Sequence, residues 1–148
     1  MREKIWGMAL AAASLSIAIG AADARPVVPA ENRFSPYSSQ LPLCDDPGVL
    51  SRIQDRFAQK ESEYWNSDLR IVSYERVSQI GFRTTGLDYV PRRYCSARAL
   101  VSDNRSHHVV YWIGEDFGII GWGYGVEWCV VGLDRDFAYG PACRAAYP

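Results

Sequence analysis

Cys44, Cys95, Cys129 and Cys143 are the residues of this chain with the most definite chemistry. No two of them form a C-x-x-C pair, so neither a redox motif nor a zinc half-site is present among them. An even number of well-spaced cysteines points instead to two disulfides, provided the chain reaches an oxidising compartment. His107 and His108 are adjacent, and on a strand they point to opposite faces, so they cannot share a metal. No metal site is expected. Gly121-Trp122-Gly123-Tyr124-Gly125 lacks the G-x-G-x-x-G spacing and opens no helix, which argues against a dinucleotide loop. A G-x-S-x-G elbow and a phosphate-binding Walker loop are also missing. Glu115 and Asp116 read as turn carboxylates, and Glu127 as a surface group able to pair with an arginine such as Arg98. Arg92-Arg93, flanked by Tyr89 and Tyr94, could meet an anion or a sugar, or simply form a solvated edge. Asn104-Arg105-Ser106 is formally a glycosylation sequon, with meaning only in a eukaryotic secretory pathway. Catalytic and cofactor-binding residues are therefore assigned to none of these positions, and no cofactor is expected.

The compartment is read from the N-terminus. Met1-Arg2-Glu3-Lys4 is charged, Ile5 to Gly20 is apolar, and Ala22-Asp23-Ala24 forms an A-x-A cleavage site. That is a secretory signal over residues 1–24, too short in its apolar part for a membrane span. Residues 25–43 hold Pro26, Pro29, Pro36 and Pro42 and read as an extended leader. Residues 44–148 form one domain, large enough for a real core. The net charge of −1 carries no basic footprint for nucleic acid. Lys60 is the only lysine after residue 24, against thirteen arginines.

These groups need a scaffold. Asp46 before Pro47 is a helix start, and Leu50, Ile53, Phe57 and Tyr64 share one face, predicting a helix over 47–65 that ends near Asn66. Four strands follow, over 70–83, 94–101, 107–113 and 119–131, with an irregular tail from Leu133. The predicted fold is α+β: one helix on a four-stranded antiparallel meander. In that order Cys44 and Cys95 lie at one end, while Cys129 lies near the other, where the tail leaves toward Cys143. Direct Cys95–Cys129 pairing would cross about 9.5 Å, beyond disulfide reach. The expected bridges are Cys44–Cys95 and Cys129–Cys143.

A symmetric turn at 114–118 puts Val110, Trp112, Ile120, Trp122, Tyr124, Val126 and Trp128 on one face, joined by Cys95, Ala97, Ala99 and Val101. This is the expected core face. The other face carries Tyr94, Arg98, His107, Tyr111 and Glu127, with Gly121, Gly123 and Gly125 as a strip without side chains. Glycine in a strand marks close approach of something else. That is either an aromatic of the same chain or a partner. The candidate recognition surface is Arg98, Tyr111, Gly121, Gly123, Gly125 and Glu127.

A single helix followed by a meander that wraps it resembles the cystatin-like architecture, through topology over about residues 45–131 and through no motif. The chain also has the look of small exported bacterial proteins. The architecture hosts inhibitors, binding modules and enzymes alike, and implies no site residue here. The expected function is a periplasmic or secreted binding or accessory module, an enzyme inhibitor among its forms, with a protein or glycan partner in the envelope. The alternatives are a small exported hydrolase using Glu127, His107 or Arg98, and a structural envelope component held by its leader.

Overall fold

Helix α1 runs Pro47–Trp65 in the computed structural model, which describes residues 37–84, 90–119 and 122–148. The Asp46 carboxylate accepts from the Gly48 and Val49 amides at 2.8 and 3.1 Å, satisfying donors that the first turn leaves open. Asn66 closes the helix in the left-handed region, its amide bonded to the Glu61 carbonyl. Strands β1 (Ile71–Arg83), β2 (Arg92–Val101), β3 (Ser106–Gly114) and β4 (Gly125–Val130) form one antiparallel sheet in the order β1-β2-β3-β4. The expected helix on a meander is therefore the fold. Signal and early leader residues, 1–36, lie outside the described residues. The leader's end is irregular and packed: Ser39 has φ of 58°, Leu41 is buried in the core, and Ser38 and Ser39 are hydrogen-bonded to Glu115.

Val49, Ile53 and Phe57 of α1 are fully buried. Each such side chain contributes about 1.5–3 kcal/mol relative to exposure. They meet Cys95, Ala97, Ala99 and Val101 of β2, whose small side chains let the helix lie close. Phe57 also meets the Trp128 ring edge to face at 5.8 Å. Arg52 and Arg56 donate to the Tyr124 and Val126 carbonyls at 3.0 and 3.2 Å, so α1 runs alongside β4 and in the same direction. At its far end Glu61 is buried, with Arg135 Nη1 2.9 Å from its Oε2, close in distance though not aligned as a hydrogen bond. Beside it Lys60 holds Asp136 at 3.1 Å, and this hydrogen bond draws the Asp136 carboxyl below its ordinary range.

Strand β3 departs from the expected facing. Cys95 pairs with Tyr111, Ala97 with Val109 and Ala99 with His107. The helix side therefore receives Val109, Tyr111 and Ile113, while Val110 and Trp112 point away. Val101 lies opposite Arg105, its amide bonded to the Arg105 carbonyl, so the strands are joined by the three residues 102–104, with Asn104 at φ of 61°, one fewer than a symmetric turn over 102–105 requires. One step of register exchanges the two faces of a whole strand. Trp112 is thus half-buried on the far face, outside the helix core. Strand β4 is also shorter than expected: it begins only at Gly125, and residues 115–119 and 122–124 lie outside the strands, while Ile120 and Gly121 lie outside the described residues.

Strand β1 carries extra residues at three places, between Ile71 and Ser73, Glu75 and Ser78, and Gln79 and Gly81. Arg76, in the second of these bulges, has φ of 52°.

The far face has its own cover. After β4 the chain turns back and lays residues 139–148 across it, including the short turns Pro141–Ala146. Cys143 and Ala146 pack on Val110 and Cys129 as a second small core. Tyr139 donates to Glu127 at 2.6 Å, Tyr147 Oη lies 3.2 Å from His108 Nε2, and Pro148 packs against Gly81. The two expected disulfides, Cys44–Cys95 and Cys129–Cys143, are both present, with Cα separations of 5.7 and 5.8 Å. One staples each face. Among the described residues no helix is long and apolar enough to cross a membrane.

Candidate functional site

The residues of the expected recognition strip do not come together. Tyr111 is wholly buried under the helix, and its hydroxyl donates to the Cys44 carbonyl at 2.6 Å. Burial, with the nearby Asp45 charge, pushes that hydroxyl well above the usual phenol range. It is a core residue that ties β3 to the helix entrance. Gly125 opens β4, and a side chain there would collide with Phe117, its Cβ only 2.2 Å from the Phe117 carbonyl oxygen. The close approach that the glycine marks is made by the same chain. Gly123 belongs to the loop, with φ of 65° and open space around its Cα, so it serves a turn and lies outside the strand. Gly121 lies outside the described residues. Glu127 is held by Tyr139 rather than by Arg98, which is exposed on the tail-covered face opposite Glu75 and His108.

His107, Arg98 and Glu127 do not converge either. His107 stands on the helix side and Arg98 on the other. Glu127 pairs with Trp112, five positions along β3 from His107, roughly 17 Å at strand rise. His107 Nδ1 lies 3.0 Å from the Val131 carbonyl, which can only accept, so in the neutral ring the proton sits on Nδ1. Its Nε2 is buried without a partner. Among the described residues no three of His, Cys, Asp or Glu gather as a metal site.

A different group does gather, at the end of the sheet where β3 passes to β4. Phe117 is 43 % exposed, Ile119 84 % and Trp122 82 %, all within one loop. Trp122 was expected in the core and is instead almost fully in solvent. The loop is folded rather than trailing: Trp122 N donates to Ile119 O at 3.2 Å, and Gly118 N to Gly123 O at 3.4 Å. Its base is a stack. Arg92 lies over the Trp112 ring at 4.6 Å and the Phe117 ring at 5.4 Å, while Trp112 and Phe117 meet edge to face at 5.2 Å. On the helix side of the same end, Arg93 lies over Phe82 and donates to Gln79 and to the Leu41 carbonyl. Glu115 accepts from Ser38 N, Ser38 Oγ and Ser39 N at 2.6, 2.8 and 2.7 Å, which fixes the leader to the foot of the loop.

No protein-family model, curated protein or solved structure matches this chain. The site is therefore read from its own side chains. Sequence reasoning missed it by treating 119–124 as strand. The available signal was Gly118, Gly121 and Gly123 interrupting an apolar run, a spacing that favours a folded loop over a ladder.

Proposed function

We propose that this chain is an exported binding or accessory module that engages its partner through the 115–124 loop. The observation that carries the reading is the exposure of Phe117, Ile119 and Trp122 at one end of a stapled scaffold. Large apolar side chains clustered in solvent mark interaction sites. The scatter of His107, Arg98 and Glu127 over two faces weighs against the hydrolase reading. Two disulfides are consistent with an oxidising compartment, and the N-terminal signal pattern supports export. The likeness to the cystatin-like outline belongs to this proposal through topology alone. Replacing Ile119 and Trp122 together by serine should leave the melting temperature unchanged and abolish capture of the partner from native envelope. Capture at the wild-type level would sink the loop as the docking element. N-terminal mass mapping checks export: a chain starting near Arg25 supports it, and an intact Met1 chain from the cytoplasm opposes it.

A further inference from the structure

We infer that Arg52 and Arg56 are a guard on the outer edge of β4, an autoinhibitory contact that keeps this edge from pairing with β4 of a second copy of the chain. The inference is independent of the loop and goes beyond the binding-module reading. It starts from the sheet order: β4 lies at one end of β1-β2-β3-β4, so one of its sides has no strand beside it. Val131 N bonds to His108 O, and in an antiparallel ladder such bonds recur at every second residue. Gly125, Glu127 and Cys129 therefore direct their amides and carbonyls at β3, while those of Val126, Trp128 and Val130 point outward. A row of outward groups on an end strand is a template for another strand.

Acceptors along this side are already occupied from α1. Arg52 Nη1 donates to Tyr124 O, just before β4, at 3.0 Å, and Arg56 Nη1 donates to Val126 O at 3.2 Å. The match is one of pitch. Four helix residues advance about 6.0 Å and two strand residues about 6.8 Å, so arginines four apart on a helix parallel to β4 meet alternate carbonyls, the ones that face outward. Arg52 also lies over the Tyr124 ring at 4.8 Å, which holds its side chain at the edge. The next position of the series, Lys60, donates to Asp136 instead, where the returning chain takes over beside Trp128.

The occupant excluded is a second copy, because an antiparallel edge is complementary to itself about a two-fold axis. Such a pairing would have to displace both hydrogen bonds, and it would set the arginines of two molecules along one seam. Charged side chains over an edge are a known means of preventing that contact. The opposite border differs. Gln54 reaches it from α1, donating to Ile71 O at 3.3 Å at the start of β1, and the further course of β1 is broken by bulges. Strand β4 pairs with β3 without any shift of register, so its straight edge is the one that depends on the helix.

The test is analytical ultracentrifugation of the protein with both disulfides formed. Arg52→Met combined with Arg56→Met keeps the aliphatic stems and removes the donors. Wild type should sediment as a monomer. The double variant should keep its helix content by circular dichroism and form a dimer. Its dissociation constant should lie about tenfold or more below the limit set by wild type, because two modest hydrogen bonds no longer have to be broken. Hydrogen exchange should slow at the Val126, Trp128 and Val130 amides as its concentration rises. Arg52→Lys combined with Arg56→Lys keeps a cationic donor at each place and should stay monomeric. If the double methionine variant loses its fold, Arg56→Met alone, at an exposed position, is read in the same way. A folded methionine variant that remains monomeric overturns the proposal. So does a dimer whose new protection falls on β1 or on another face, and so does a wild type that already dimerises through β4. The serine variants of the loop decide the binding-module reading separately.

Discussion

The two faces of one sheet are covered by different physical means. On one, a nineteen-residue helix with its own start and stop signals buries a continuous stripe, and the contacts are numerous, apolar and shared over four strands. On the other, a short tail crosses the strands with one disulfide, a four-residue core and a few hydrogen bonds from tyrosines. The comparison teaches that the helix face is secured by side-chain volume, whereas the tail face is secured by a covalent link that keeps a segment with little regular structure in place. The two faces should therefore respond to different insults.

The largest effect is expected on the helix face. Phe57→Ala should cost about 3–5 kcal/mol in denaturant unfolding, because the removed ring touches both helix and sheet. A cost within about 0.5 kcal/mol, the range of ordinary surface changes, would break the contrast. Next comes the tail. Replacing Cys129 and Cys143 together by alanine should cost about 3 kcal/mol by chain entropy. It should also open the tail to protease while the helix stays protected. Equal protection of both would show that the small tail core suffices alone. Arg135 links the two regions, since it leaves the returning chain to reach Glu61. Arg135→Met strands a buried carboxylate and should cost about 2 kcal/mol, below the usual penalty because Arg135 is partly solvated. Unchanged stability by urea titration would show that Glu61 does not depend on this partner. Smallest is the loop. Gly123→Ala should cost about 1 kcal/mol, from the positive φ alone, since nothing crowds the site. A gain in stability would mean that the loop does not need that conformation.

The bounds of the helix were legible in the sequence because Asp46, Pro47 and Asn66 act within a few residues of themselves, but its buried face was only half read: Ile53 and Phe57 are on it, whereas Tyr64 is 69 % exposed and Val49 and Glu61 are buried instead. The disulfide pairing was legible for a related reason: a meander leaves only one way to bring four cysteines to the right ends. Facing in β3 was not, because it depends on a turn whose pairing shifts by a single step, and Tyr111 and Trp112 exchange places with it. Strand β1 hid its pattern by bulging three times, which breaks the alternation of buried and exposed positions. The candidate site was hidden more deeply. Trp122 has the composition of a core residue, and only the glycines around it indicate that the backbone folds out into a loop. The tail offered no periodicity at all, so Cys143 was the one visible sign that it returns to the sheet.

Strand β1 has a consequence for the molecule's behaviour in company. It is the long outer strand of an open sheet, with Val72, Ile80 and Phe82 exposed along it, the kind of border on which chains stack into fibres. Its three extra residues and the left-handed Arg76 throw the free amides and carbonyls out of line, so a neighbouring chain finds no straight ladder to extend. The irregularity that obscures β1 in the sequence is also what denies a neighbouring chain a straight template along this border.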